Sequence, residues 1–255
     1  MEVWGKGQGS MTPVARASSP WEPPSPNQTS RSMTNNIYAI GDIHGCLEHL
    51  ERLLETVNPD LTRDKLVFIG DYIDRGSNSK GVVDYIIRLR ARYPAENIIC
   101  LKGNHEVMLL DFLQGIDREL FLFNGGRSTL REYFGENWDG LNELRLPPEH
   151  EIFYQELKSY YETPEYIFVH GGLRPGVDLA QQLDDDLFWI RGEFIMSFED
   201  FGRRVIFGHT PMRQPLLMPN KIGIDTGCVY GNFLTCIKLP QVDFYFAGSH
   251  FDRMR

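Results

Sequence analysis

The chain has 255 residues, 42% of them hydrophobic, and a formal net charge of −9. That length can bury one large core or two modest ones, and the negative balance gives no diffuse attraction for nucleic acid or an anionic membrane surface. No stretch reaches the roughly 18 apolar residues of a membrane span, and the N-terminus has no apolar signal core.

Four cysteines, Cys46, Cys100, Cys228 and Cys236, form no C-x-x-C pair and sit among apolar residues. They read as buried free thiols of a reducing compartment, so a cytoplasmic location is expected, with neither nucleic acid nor membrane as a partner. Residues 1–35 are rich in Gly, Ser, Pro, Thr and Asn and include Ser18-Ser-Pro-Trp-Glu-Pro-Pro-Ser-Pro26. Such a segment buries too little to offset its ordering cost, and it is expected to be a disordered tail before a single catalytic domain over 36–255.

From Asn36 the chain repeats one pattern. Asn36-Ile-Tyr-Ala-Ile-Gly41 reads as a strand and delivers Asp42-Ile-His44-Gly45, after which Leu47, Leu50, Leu53, Leu54 and Val57 recur at helical spacing. Lys65-Leu-Val-Phe-Ile-Gly70 is a second strand and ends on Asp71, with Asp74, Arg75 and Gly76 in the next turn. A helix is predicted over 78–92, stopped by Tyr93-Pro94. Asn97 to Lys102 is the third strand, delivering Gly103-Asn104-His105-Glu106 into a helix from Val107 to Leu113. Three successive strand, polar loop and helix units predict a largely parallel sheet.

Residues 114–163 are aromatic-rich and less periodic, and a mostly helical excursion is expected there. The strand-then-ligand pattern returns in Tyr166-Ile-Phe-Val-His170-Gly171 and in Arg204-Val-Ile-Phe-Gly-His209. Between them, Asp184 to Arg191 reads as a short helix or turn that presents Arg191. Short strands at the C-terminal end predict antiparallel additions and a second sheet. The fold class is therefore α/β with mixed sheets, and ligands are expected where parallel strands end.

The polar residues that follow the apolar runs are Asp42, His44, Asp71, Asn104, His105, His170 and His209. Carboxylate, imidazole and amide oxygen suit Mn²⁺, Fe or Zn²⁺ better than a thiolate-loving ion. They are too many for one ion and about right for two, with the carboxylate of Asp71 as the natural bridge. Two such ions are a device for in-line displacement at phosphorus, since they lower the pKa of a bridging water and clamp phosphoryl oxygens. The substrate's own negative charge calls for further cations, which Arg75 and Arg191 supply as planar forks. His105 stands beside Asn104 and, paired with Asp74, is suited to protonate the leaving oxygen.

Each piece alone has a plainer reading. One Gly-Asp-x-His is more often a turn than a metal site, Asp74 with Arg75 alone is a surface ion pair, and Glu106 is expected to support its loop. Five ligand-bearing strand ends in one chain make the plain readings improbable together.

These motifs resemble those of the phosphoprotein phosphatase family of calcineurin-like metallophosphoesterases, in its compact bacterial branch. The matching pieces are Gly41-Asp-Ile-His-Gly45, Gly70-Asp-Tyr-Ile-Asp-Arg-Gly76, Gly103-Asn-His-Glu106, His170-Gly-Gly172 and Gly208-His209, spread over residues 36–240. The resemblance implies a four-layer αββα sandwich with a dimetal site at the C-terminal ends of strands. It implies one ion held by Asp42, His44 and Asp71, and a second held by Asp71, Asn104, His170 and His209. His105 and Asp74 match the family's acid pair, and Arg75, Arg191 and Asn104 its phosphate contacts. The long C-terminal substrate loop of the eukaryotic enzymes is missing, so no regulatory subunit is expected.

Related symmetrical diadenosine tetraphosphate hydrolases typically carry Gly-Asn-His-Asp at the third motif. Glu106 together with Asp74-Arg75 therefore points to a protein serine/threonine phosphatase acting on a phosphorylated protein or peptide. A symmetrical diadenosine tetraphosphate hydrolase, or another hydrolase of small nucleotides, is the alternative. A non-catalytic metal-binding module would be expected to lack His105, Asp74 or a ligand, and none is missing.

Overall fold

A computed structural model describes residues 35–136, 138 and 144–248. The predicted tail lies, but for residue 35, outside the described residues. Five strands form a first sheet in the order β10-β9-β1-β2-β3. They are β1 (Ile37–Ile40), β2 (Lys65–Phe68), β3 (Ile98–Cys100), β9 (Phe233–Leu239) and β10 (Asp243–Gly248). The first three run parallel, and β9 and β10 add antiparallel at one edge. A second sheet has the order β4-β5-β6-β8-β7, built from β4 (Tyr160–Glu162), β5 (Tyr166–Val169), β6 (Arg204–Phe207), β7 (Leu216–Leu217) and β8 (Lys221–Gly223). Here β5, β6 and β8 are parallel, with β4 and β7 antiparallel at the edges.

The alternation of side chains along each strand explains why the sheets stack. Ala39, Val67, Ile69, Ile99 and Leu101 of the first sheet pack against Phe168, Ile206, Ile222 and Ile224 of the second, all buried. The intervening residues Ile40, Leu66, Phe68 and Cys100 point the other way, onto helices α1 (Leu47–Val57), α2 (Ser79–Arg92) and α3 (Asn104–Leu113). On the far side, Ile167, Val169, Val205 and Phe207 meet α7 (Asp184–Trp189) and α8 (Gly192–Met196). The result is the expected helix, sheet, sheet, helix sandwich. Strands buried on both faces read as continuous apolar runs, which is how β2, β5 and β6 announced themselves. Truncating a central residue such as Phe168 to alanine would cost about 3–5 kcal/mol.

Two element boundaries differ from the sequence reading. Helix α3 begins at Asn104 and not at Val107, so His105 and Glu106 occupy its first turn. Glu106 makes this possible by accepting the N–H of Gly103 at 2.9 Å, satisfying a donor at the helix start. Residues 114–163 carry α4 (Arg118–Phe121), a wide turn at Leu122–Gly126, α5 (Arg127–Phe134) and α6 (Pro148–Gln155), and end in β4. The expected helical excursion is broken after α6 stops at Gln155, where Tyr160 to Glu162 pair with β5 instead. The buried His150 ties this region together. Its Nε2 meets Asp84 of α2 at 2.9 Å, and its Nδ1 meets the Tyr133 hydroxyl of α5 at 2.6 Å.

Candidate dinuclear metal site

Six strand ends converge. Asp42 and His44 follow β1, Asp71 follows β2, Asn104 and His105 follow β3, His170 follows β5, His209 follows β6 and Asp225 follows β8. All eight are buried. His44, Asp71, Asp74, Arg75 and His209 hold φ angles of 46°, 51°, 73°, 68° and 63°, in the left-handed region. Non-glycine residues there cost about 1–3 kcal/mol each, and such conformations gather at functional sites. The cost is met by fixed hydrogen bonds. Glu106 accepts the N–H groups of Asp71 and Tyr72, each at 2.9 Å, in addition to that of Gly103. Two glycines leave the necessary room, since a Cβ at Gly103 would land on Asp71 Oδ1 and one at Gly208 on Asp42 Oδ1.

The side chains form two groups of metal-ligand type that share Asp71. One contains His44, Asp71 and His105, the other Asp71, His170 and His209. Asp71 Oδ2 lies 3.4 Å from His44 Nε2, and its Oδ1 lies 3.4 Å from His170 Nε2. One carboxylate thus faces both groups. Asn104 Oδ1 joins the second, at 3.0 Å from His170 Nε2 and 2.9 Å from His209 Nδ1. Asp42 is turned aside, and its two oxygens meet the His209 N–H at 3.2 and 3.0 Å.

The donor set fits divalent cations. His44 Nδ1 is 2.7 Å from Ile73 O, His170 Nδ1 is 3.2 Å from Ile69 O and His209 Nε2 is 3.3 Å from Trp189 O. A ring nitrogen beside a carbonyl must be the N–H, so the opposite nitrogen of each ring carries a lone pair. The lone pairs of His170 and His209 face the Asn104 amide oxygen, an arrangement of acceptor against acceptor that a shared cation resolves, while that of His44 accepts from Arg75 beside the Asp71 carboxylate.

The charge balance agrees. Burial, then Asp225 and Asp71, raises Asp42 well above the usual carboxylate range. Burial and the nearby Glu106 do the same to Asp71. Burial pushes Glu106 up to about 7 and Asp225 up to about 6, against the backbone N–H groups that favour their ionised forms. The histidines move in the opposite sense. Burial, then the neighbouring His105, lowers His44 and His170, and burial with His170 pushes His209 down to about 2. Neutral imidazoles beside crowded carboxylates are the state a divalent ion selects.

The remaining expected residues surround the two groups. His105 Nδ1 lies 2.6 Å from Asp74 Oδ2, and its Nε2 is 4.0 Å from Asp71 Oδ2. Burial, then Arg75 and Arg191, holds the His105 ring well below the usual histidine range, while burial raises Asp74. Arg75 extends NH1 to 2.7 Å from His44 Nε2, and Arg191 donates to His209 O at 2.9 Å and Thr210 Oγ1 at 3.4 Å. Every residue singled out in the sequence is therefore at this edge of the sandwich.

The sequence reading missed three neighbours. Asp225 adds a carboxylate beside Asp42, and its position after the apolar run Ile222 to Ile224 was the available signal. Thr129, from the excursion that showed no chemistry in the sequence, donates its hydroxyl to Asp74 Oδ1 at 2.5 Å. Tyr230, 63% exposed, holds its ring 5.7 Å from the Arg75 guanidinium carbon.

Comparison with known proteins agrees with this geometry. The family of calcineurin-like phosphoesterases matches residues 36–250. The chain belongs to that family. It is 28% identical over 240 residues to the asymmetrical bis(5'-nucleosyl)-tetraphosphatase PrpE of Oceanobacillus iheyensis, covering 82% of this chain and 91% of that one. Among solved structures it resembles a protein provisionally assigned as a diadenosine tetraphosphatase, with a TM-score of 0.65, 24% identity and coverage of 86% and 95% of the two chains. A protein serine/threonine phosphatase from Saccharomyces cerevisiae shares the fold at a TM-score of 0.58 and 15% identity, over 86% and 82% of the chains. As a calcineurin-like phosphoesterase, the protein carries the centre of a metal-dependent phosphoester hydrolase. No helix among the described residues is long and apolar enough to cross a membrane.

The named nucleotide hydrolases are of the asymmetrical kind, where the sequence reading took the symmetrical kind as its alternative to a protein phosphatase. Glu106, together with Asp74-Arg75, had carried that preference. In the fold it binds three backbone N–H groups beneath the site and faces no substrate, so it carries no information about the leaving group.

Proposed function

We propose that the protein is a dinucleoside tetraphosphate hydrolase. Water would cleave one phosphoanhydride bond of the tetraphosphate bridge, giving a nucleoside triphosphate and a nucleoside monophosphate. The relatives named for that activity support this reading, as they match across about nine-tenths of their own length.

The observation that carries it is the pair of Tyr230 and Arg75. An exposed aromatic ring against a phosphate-type guanidinium offers a face on which a base can stack while the guanidinium holds its phosphates. Phe123, 90% exposed, lies two residues from Gly125, whose carbonyl accepts the Arg75 N–H at 3.3 Å, and offers a second apolar surface nearby.

In this reading Asp42, His44 and Asp71 hold one divalent ion of the Mn²⁺ type, and Asp71, Asn104, His170 and His209 the other. When bound, the pair supplies a water of lowered pKa and neutralises phosphoryl oxygens. Arg75, Arg191 and the Asn104 amide orient the phosphoryl group through charge-assisted bonds. His105 presents Nε2 to the leaving oxygen and delivers its proton, held in orientation by Asp74. Burial, then Arg75 and Arg191, keeps the ring neutral in the free protein, and a phosphate arriving beside the two guanidinium groups offsets their share.

The test is selectivity. Tyr230→Ala is expected to raise KM for diadenosine tetraphosphate by roughly 10-fold, the loss of one stacked base, and to leave p-nitrophenyl phosphate turnover unchanged. Equal effects on both substrates, or none on either, would contradict the stacking role.

A further inference from the structure

Behind the dinuclear centre the described residues hold a cluster of different chemistry. Cys46 precedes α1, His49 lies in the first turn of that helix, and Cys228 opens the short turn Cys228–Tyr230. The two sulfurs and a ring nitrogen of His49 all lie within 4.8 Å of one another. Both thiols are free. Cys228 is buried, whereas Cys46 and His49 are half-buried, so the cluster is closed on one side and reachable on the other.

We propose that Cys46, His49 and Cys228 form a separate site for a thiophilic ion of the Zn²⁺ class. Tetrahedral Zn²⁺ binds sulfur at about 2.3 Å and nitrogen at about 2.0 Å, which sets its ligand atoms just under about 4 Å apart. The present spacing needs a contraction on the order of 1 Å or less, within the reach of side-chain rotation. Cys46 caps α1 and His49 lies in its first turn, where the His49 N–H donates to Cys46 O at 3.1 Å. Cys228 comes from a loop distant in sequence, so the triad exists only in the fold.

Ligand chemistry separates this site from the dinuclear centre. That centre offers carboxylate, amide and imidazole without sulfur, and the triad offers two sulfurs, so a soft ion sorts to the triad and a hard ion away from it. Three protein ligands leave a fourth position on the half-buried side. Its location gives it consequence. Cys46 Sγ donates to His44 O at 3.7 Å, and Cys228 lies three residues after Asp225 and two before Tyr230. An ion there would cross-link the loop that carries Asp42 and His44 to the loop that carries Asp225 and Tyr230.

The test uses the full chain, reduced, with Mn²⁺ supplied to the dinuclear centre, and titrates it with Co²⁺ as an optical substitute for Zn²⁺. Only sulfur ligands give the intense near-ultraviolet thiolate-to-cobalt band, so the readout is independent of turnover and of the function proposed above. The expected result is a band that saturates at one Co²⁺ per chain and is displaced by Zn²⁺. It should vanish in Cys46→Ser and require at least about 10-fold more Co²⁺ in His49→Ala. Cys228→Ser should abolish it too. Where burial of that position prevents folding, the half-buried Cys46 and His49 variants decide. Absence of the band in the unsubstituted protein, or an unchanged band in Cys46→Ser, would overturn the proposal.

Discussion

The Asp74 carboxylate is held from both sides. Thr129 donates its hydroxyl to Oδ1 at 2.5 Å, while Oδ2 lies 2.6 Å from His105 Nδ1. Thr129 belongs to α5, so the helical excursion reaches the proposed acid pair through this side chain. The same oxygen of Thr129 accepts the Asp74 N–H at 2.9 Å, fixing the strained backbone as well as the carboxylate.

Thr129→Val removes both bonds while keeping the shape of the side chain. Leaving a buried polar group without its partner costs about 1–3 kcal/mol, and turnover is expected to fall by roughly 10-fold or more. Metal content, measured by elemental analysis, should not change. A variant with full activity would show that Thr129 only fills space.

His105→Ala should retain its metals and lose roughly 10²–10⁴-fold in turnover on an alkyl phosphate, whose leaving oxygen needs a proton. The loss should shrink with p-nitrophenyl phosphate, whose leaving group is stable as an anion. Equal losses on the two substrates, measured as kcat, would remove His105 from the acid role.

Asp71 faces both ligand groups, so Asp71→Asn should weaken both ions together. Elemental analysis after dialysis should find neither retained. Retention of two tightly held ions would exclude a bridging role.

The crowded carboxylates also predict a pH effect. Glu106 sits at about 7 in the metal-free fold, against 4.5 in its ordinary state. A raised carboxyl contributes most to stability at low pH, and that contribution is lost as pH rises through its folded value. Below about pH 6.5 the buried histidines, neutral in the fold and charged when unfolded, oppose that loss. The metal-free protein should therefore lose Tm as pH rises from about 6.5 through 7, and Mn²⁺ should remove the slope by compensating the negative charge. A Tm that rises over this range in the presence of a chelator would contradict the reading.

How far the sequence could be read depended on how local each signal was. The candidate ligands were legible because they follow apolar strands, as Asp71 follows Leu66 to Ile69 and His170 follows Ile167 to Val169. Periodicity likewise located α1 and α2. Thr129 was not legible, since a threonine within a helix carries no mark of the carboxylate it meets 55 residues away in sequence. Cys46 and Cys228 each read as an isolated buried thiol, and only the return of the chain past β8 brings them together. Glu106 was read correctly as a support of its loop, yet it was also given weight for substrate choice. Its three N–H bonds account for its presence without reference to any leaving group.

The most direct measurement is a paired initial-rate assay of the metal-stripped protein with Mn²⁺ restored. One substrate is diadenosine tetraphosphate and the other a phosphoserine peptide, with the nucleotide products separated. The account predicts metal-dependent turnover that favours the dinucleotide, with ATP and AMP as equal products. Faster turnover of the peptide would contradict the nucleotide assignment, and two ADP per dinucleotide would contradict the proposed position of cleavage.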